Sequence, residues 1–373
     1  MRVTVVGGGV VGTMHAWQAV ERGHEVVQIE REAEARGASL RNFGQIWVSG
    51  RAGGEELGTA LRARELWERI GALVPALGFR ANGSLTPVRN DLERAVAEAA
   101  LARPDAAARG YKLLTAAEAR AVNPALRGTY ESALYCERDA AVEPRTAQLA
   151  LREQLSKSPN YTFLPGREVR EVTGPGTVRD DHGDVHRADA VVLCTGAWLG
   201  GLVRELAPDL PVRRVRLQMM QTDPLGEPLP TSVADADSFR YYPAYGGQAL
   251  DHLEAGQPQA PVAAAHRMQL LMVQRADGGL TIGDTHEYEH PFAFDTLEDP
   301  YEHLAEVVEG FLGRPLPRIR RRWAGVYAQC TDTRRVVHRQ QVGEGAWLVT
   351  GPGGRGMTCA PAIAEKTANE LGW

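Results

Sequence analysis

The run Gly7-Gly8-Gly9-Val10-Val11-Gly12 constrains this chain more than any other feature. Before it stands Arg2-Val3-Thr4-Val5-Val6, a short, largely β-branched stretch that reads as a buried parallel strand. After it, residues 10–22 carry apolar Met14, Trp17 and Val20 at helical spacing, with Gly23 as a natural C-cap. Residues 25–30 read as a second strand. The GxGxxG therefore falls on the strand-to-helix turn of a βαβ unit. Gly7 permits the tight turn, Gly9 lets the backbone approach a pyrophosphate, and Gly12 allows the helix to pack on the strand. The helix N-terminus adds N–H groups and positive dipole for phosphate oxygens. Glu30 ends the next strand, 18 residues after Gly12, where a carboxylate accepts hydrogen bonds from ribose hydroxyls and repels a 2′-phosphate. The pattern predicts dinucleotide binding; a purely structural glycine turn is the alternative.

A length of 373 residues predicts two domains. Forty glycines against 7 Phe, 7 Trp and 10 Tyr fit many tight turns better than a helical bundle. A net charge of −5 excludes a generally basic nucleic-acid binder but leaves room for a local basic pocket. No uncharged apolar stretch of about 18 residues or more occurs, so no membrane span is expected, and no signal peptide is expected either. The four cysteines (Cys136, Cys194, Cys330, Cys359) show no CxxC spacing. The expectation is a reduced, cytoplasmic protein with neither a disulfide framework nor a metal site. Only three lysines (Lys112, Lys157, Lys366) stand among the 42 basic residues. A GC-rich genome explains that bias, yet its consequence is physical: an anion site here is built from guanidinium forks.

Helices are expected over 55–77, 91–103, 115–121 and 301–313, and a strand pair over 159–172. Residues 188–195 read as a buried strand ending at Gly196. Longer antiparallel strands are expected over 212–222 and 266–284, the second turning at Asp277-Gly278-Gly279. Residues 223–262, rich in Pro, Gly and Asp, predict a long loop. Residues 346–350 form the last strand, running into Gly351-Pro352-Gly353-Gly354-Arg355-Gly356 and a final helix to about Leu371. This second glycine run also matches GxGxxG, but only 17 residues follow Gly356. That leaves no room for a second nucleotide fold. Its N–H groups and helix N-terminus instead suit an electron-rich group such as the N1–C2=O edge of a flavin. Three strands thus end in glycine, at Gly7, Gly196 and Gly351. In a doubly wound sheet such ends share the ligand-binding edge.

Residues 3–12 with Glu30, residues 191–198 and residues 347–358 together resemble the D-amino-acid oxidase, glycine oxidase and sarcosine oxidase family of FAD-dependent enzymes. The resemblance runs in order along nearly the whole chain. It implies an α/β plus α+β fold: a Rossmann-like FAD-binding domain with a doubly wound parallel sheet, and an inserted antiparallel-sheet substrate domain. The FAD-binding domain is expected to be discontinuous, from 1–83, 144–213 and 325–373; the substrate domain takes 84–143 and 214–324. The implied cofactor contacts are Gly7, Gly9, Val10, Val11, Gly12, Glu30 and Arg31. Ser39, Arg41, Asn42, Gly44 and Gln45 lie on the segment expected to cross the flavin. Val169 is implied for adenine, and Thr195, Gly196 and Trp198 follow the middle strand. Gly353, Gly354, Gly356, Met357 and Thr358 are implied at the flavin pyrimidine. The string Arg41-Asn42-Phe43-Gly44-Gln45-Ile46-Trp47 resembles a narrower subgroup proposed to oxidise aminophosphonates.

Two departures from the family carry expectations. Some relatives attach FAD through a cysteine where this chain has Ala328, so FAD is expected to be noncovalent, although Cys330 lies two residues on. Sarcosine oxidases keep a lysine where Thr281 precedes Ile282-Gly283, which predicts a slow reaction with oxygen and leaves oxygen or another electron acceptor open. On the substrate side, Asp284 and His286 share one face of a strand. Asp284 suits a substrate ammonium, and His286 suits positioning or proton transfer; a polar pair on a solvated sheet edge is the alternative. Tyr241 and Tyr242, with Arg240, form either a lid or ordinary packing. Arg41, Arg334, Arg335 and Arg355 are candidates to hold the substrate anion. The catalytic candidates are thus Asp284, His286, Tyr242 and Arg355. The implied reaction is oxidation of a C–N bond in a small zwitterionic amine, by hydride transfer to flavin N5 and imine hydrolysis. Two other classes stay open: an NAD-dependent dehydrogenase, and a flavin-binding protein without turnover.

Overall fold

The computed structural model describes residues 1–373. Its first layer is a six-stranded sheet in the order 338–343, 346–350, 190–193, 2–6, 25–30, 161–165. Five of these strands are parallel, and His338–Gly343 adds an antiparallel edge to Ala346–Thr350. The central strand carries Val3 and Val5 with no exposed surface, as expected of a strand covered on both faces. Helices Val10–Glu21 and Gly356–Glu370 pack together on one face, and Glu55–Leu73 packs on the latter. The N-terminal glycines behave as their spacing predicts. Gly7 has φ +114°, and a Cβ on Gly12 would collide with the Gly7 carbonyl oxygen, so helix and strand approach closely only without it.

The second layer is an eight-stranded sheet in the order 319–330, 212–224, 279–283, 271–274, 232–234, 84–88, 132–136, 111–115. Its neighbours are antiparallel except at one junction, where Ser232–Ala234 runs parallel to Ser84–Val88. Its longest pair is Val212–Pro224 against Ile319–Cys330. Both strands run unbroken across the expected boundaries at 213/214 and 324/325, so those two boundaries fall inside paired strands. We propose the sheets as the cores of two domains, with this pair spanning them. A two-stranded contact, Gln45–Ile46 with Ala140–Ala141, ties the layers a second time.

Three local expectations are corrected. The segment 159–172 is no strand pair: Tyr161–Pro165 joins the parallel sheet, whereas Val169–Gly174 opens a separate three-stranded sheet. Residues 223–262 are not one long loop. They hold Ser232–Ala234 and the helices Asp237–Tyr241, Gln248–Gly256 and Pro261–Ala265. Gly226, Pro228 and Pro230 do lie in an irregular stretch between 224 and 232, whereas Pro243, Gly247, Gly256 and Pro261 sit at the ends of short elements. The strand expected over 266–284 is regular only at Leu271–Gln274 and Gly279–Gly283.

Candidate active site

The glycine-terminated strand ends of the first sheet and the concave side of the second enclose one cavity of about 1130 Å³. That exceeds the roughly 300–1,000 Å³ of a pocket for one drug-sized ligand, which suits a long cofactor together with a small substrate. At one end lies the βαβ turn. Glu30, 8% exposed, accepts from the backbone N–H of Gly8 at 2.6 Å and of Glu32 at 3.0 Å. These bonds fix the carboxylate at the cavity edge, with lone pairs left for a ribose. Ser39 Oγ accepts from Val10 N at 2.8 Å, placing a hydroxyl at the helix N-terminus. The first turn of that helix has no acidic residue, so its positive end is left for an external anion.

Most of the implied cofactor residues line this cavity: Gly7, Gly9, Val10, Val11, Arg31, Arg41, Asn42, Gln45, Val169, Thr195, Gly196, Trp198, Gly353, Gly354, Gly356, Met357 and Thr358 among them. Gly12 and Gly44 do not. Gly12 serves helix packing, and Gly44, at φ +68°, lies against the Val142 carbonyl and Pro144, where no side chain fits. Asn42 lines the wall but spends its amide on the turn, donating to Ala38 O and Ser39 O and accepting from Gly44 N. Arg31 covers the half-exposed Trp198 ring at 4.2 Å. Thr358 Oγ1 accepts from Trp47 N at 2.9 Å and so ties the last helix to the end of the Arg41–Trp47 segment. Two buried polar atoms of the wall, Gln45 Nε2 and Thr195 Oγ1, have no protein partner. With the open helix N-terminus and the side-chain-free edge at Gly9, they fit a dinucleotide with polar ring edges. Cys330 is buried and outside the cavity wall, and Thr281 is buried within the sheet, also outside it.

The far end carries Asp284, His286 and Tyr242, all at least nine-tenths buried. His286 Nδ1 lies 2.9 Å from Arg267 O. A carbonyl only accepts, so Nδ1 carries the proton and Nε2 keeps its lone pair. That Nε2 stands 4.0 Å from Asp284 Oδ2. Thr285, between them, turns the other way and accepts from Gln218 N, so the expected alternation of faces is present although the regular strand stops at Gly283. Burial pushes the Asp284 carboxyl up to about 8 and pulls the His286 imidazolium down to about 4. Tyr241 stacks on the His286 ring at 4.3 Å and meets Tyr242 edge-on at 5.0 Å, forming a wall around the pair.

Arg355 lines the cavity, but its guanidinium is committed elsewhere. Its guanidinium is 6% exposed and is held by Glu56 Oε2 at 3.1 Å, Thr333 O at 3.0 Å, Arg335 O at 3.0 Å and Pro352 O at 3.2 Å. It clamps the glycine loop from within and has little left for a substrate. Arg334 pairs with Asp332 on the surface, Arg335 is outside the cavity wall, and Arg41 donates to Ala324 O. The arginine that sequence reasoning missed is Arg51. It is 5% exposed, lines the cavity, and stands 5.9 Å from the Tyr242 ring centroid. Its Nε donates to Trp47 O at 2.7 Å, and Nη1 lies 3.8 Å from Glu56, a carboxylate shared with Arg355. One carboxylate between two guanidiniums leaves a buried net positive charge. Arg51 lies four residues beyond Trp47, and its nearness to the Arg41–Trp47 string was the available signal.

A doubly wound sheet with a glycine-rich nucleotide turn, opening into a buried polar pocket under a second sheet, defines a dinucleotide-dependent oxidoreductase. The profile of the FAD dependent oxidoreductase family, DAO, matches residues 2–370, and the chain belongs to that family. It is 27% identical to a glycine oxidase of Pseudomonas aeruginosa, across 99% of this chain and 94% of that one. It is 32% identical to a D-amino-acid oxidase of Streptomyces coelicolor, across 70% of this chain and 74% of the relative. The glycine oxidase structure from Bacillus cereus superposes with a TM-score of 0.78 at 18% identity, over 100% of this chain and 94% of that one. The cofactor is therefore FAD, which rules against an NAD-dependent dehydrogenase. No helix is long and apolar enough to cross a membrane.

Proposed function

We propose that this protein oxidises the C–N bond of a small zwitterionic amine, with an aminophosphonate as the substrate class. The observation that carries the reading is a guanidinium and an ionisable carboxyl in one cavity: Arg51 stands 5.9 Å from the Tyr242 ring centroid, and Asp284 lines the same wall beside Gln269, which donates to the Tyr242 hydroxyl. A molecule with an anion at one end and an amine at the other fits between them. The bound flavin supplies the two-electron acceptor. The chain's own residues orient the donor carbon, exclude water and accept the amine's hydrogen bonds. Arg51 holds the anion, while Asp284 and His286 Nε2 face the amine. A phosphonate is favoured by the Arg41–Trp47 resemblance and by the surplus positive charge around Glu56, which suits an anion that can carry a second negative charge. A glycine- or D-amino-acid-type substrate is the second reading, favoured by the activities named for the relatives. We also assign the protein to the cytoplasm, a reading supported by four unpaired, buried cysteines.

Anaerobic reduction of the flavin by 2-aminoethylphosphonate, against glycine, sarcosine and D-alanine, tests the substrate class. The phosphonate is expected to bleach the flavin fastest. Faster reduction by the amino acids replaces it with the second reading. Bound FAD that no amine reduces points to a protein without turnover.

A further inference from the structure

Gln269 stands opposite Asp284 across an antiparallel contact. Asp284 N donates to Gln269 O at 2.9 Å, and Gln269 N returns the bond to Asp284 O at 3.4 Å. Residues paired in this way point their side chains to the same face. Gln269 is 2% exposed and lines the cavity beside Asp284. Its Nε2 donates to the Tyr242 hydroxyl at 3.3 Å, which fixes the amide plane. Its Oε1 has no partner, and neither has Asp284 Oδ1. With Asp284 ionised, two neighbouring acceptors are buried without a partner, an arrangement that costs free energy until a donor arrives. His286 Nδ1 is spent on Arg267 O and the Arg267 guanidinium pairs with Glu289 outside, while the proton of a neutral Asp284 leaves when the carboxyl ionises to receive the amine.

We propose that Gln269 is a substrate ligand whose Oε1, together with Asp284 Oδ1, forms a clamp for two N–H groups of the substrate amine. This rests on the amine reading above. The clamp accepts primary and secondary amines, whose ammonium forms carry three and two N–H groups. A tertiary ammonium carries one and leaves a buried acceptor unpaired; a quaternary ammonium leaves both. The site therefore discriminates by the number of N–H groups, and bulk at nitrogen is secondary to it. His286 Nε2 lies alongside as a further acceptor for a primary ammonium.

The test is anaerobic reduction of the holoenzyme by two matched series. One is 2-aminoethylphosphonate with its N-methyl and N,N-dimethyl forms; the other is glycine, sarcosine and N,N-dimethylglycine. In whichever series reduces the flavin, the ratio of reduction rate to dissociation constant is expected to fall about tenfold or more between the N-methyl and N,N-dimethyl members. Gln269→Leu should lower the N-methyl member about tenfold, leave the N,N-dimethyl member nearly unchanged, and so erase most of that step. Gln269→Met, closer in length, serves as the second variant, with retained FAD and melting temperature as the folding check. An N,N-dimethyl amine that reduces the wild-type flavin as fast as its N-methyl partner overturns the clamp without any substitution. So does a step that survives in both folded variants. Success of the carboxylate series alone overturns the phosphonate assignment and leaves the clamp readable; reduction by neither series overturns the amine reading and the clamp with it.

Discussion

Asp284 is a cavity residue whose environment departs far from its ordinary chemistry. A carboxyl near 8 holds its proton through neutral pH in the free site, whereas His286, near 4, is already a neutral imidazole there. Asp284 faces His286, Gln269 and the tyrosines Tyr241, Tyr242, Tyr288 and Tyr327, none of which is cationic at neutral pH. To receive a substrate ammonium as an ion pair it must ionise. The rate-to-dissociation-constant ratio of flavin reduction should then rise with pH, by about tenfold per unit below a bend near 8. Asp284→Asn should remove that limb; a profile that keeps it assigns the limb elsewhere. The sign for stability is the reverse. Unfolded, this carboxyl ionises near 3.9, so its contribution is full below that pH and is lost as the pH climbs through about 8. At the other end of the cavity, Glu30→Ala removes the ribose acceptor. Loss of a hydrogen bond to a charged group costs about 1.5–3 kcal/mol, or roughly 10- to 150-fold in FAD affinity. Titration of the apoprotein with FAD measures it, and unchanged affinity removes Glu30 from the ribose.

Among the elements, the glycine loop 351–356 shows why a motif is more legible than the side chain inside it. Its place between a strand and a helix follows from local spacing, as does the βαβ turn at Gly7, and both elements form where the pattern puts them. The role of Arg355 does not follow from spacing. An arginine in a flavin-side loop has the chemistry of a substrate ligand, and only the approach of Glu56, 299 residues away in sequence, turns it into a clamp. Arg51 was illegible for the same reason: its importance depends on Tyr242 coming under it. The pair Asp284 and His286 was legible because alternation along a strand is a local rule, but Gln269 depends on a cross-strand register that the sequence does not announce. Arg355→Met should therefore loosen the loop rather than the substrate. FAD should dissociate about tenfold faster or more, as expected for breaking a buried charged network, while the substrate's dissociation constant in FAD-loaded enzyme changes less than about threefold. A selective loss of substrate affinity with FAD retained would return Arg355 to the anion site.

At the scale of the molecule, the cofactor cavity is the space between two sheets with no strand in common; the long pair 212–224 with 319–330 belongs to the second and meets the first layer's glycine loop through the bridge of Gln329 with Pro352. Residues of both layers line it, so FAD filling it would touch both and its binding free energy would help hold them together. The cofactor is expected to be noncovalent: Ala328 lines the cavity, whereas Cys330 is 1% exposed and packed behind the wall. Acid precipitation should leave the yellow colour in the supernatant, and a flavin-labelled pellet would point to Cys330. A reversible ligand also stabilises by mass action. Free FAD at about 1,000 times its dissociation constant adds about 4 kcal/mol to the folded state. Removing FAD should therefore lower the melting temperature by several degrees, and re-adding it should restore the value in proportion to the logarithm of its concentration. Because the ligand bridges both sheets, the loss should appear in both. Hydrogen exchange should quicken at Gly7–Val11 and also at Gln269–Leu271 and Asp284–His286. Quickening confined to the glycine turns would mean that the second sheet holds its shape alone, and that the substrate pocket is preformed without the flavin.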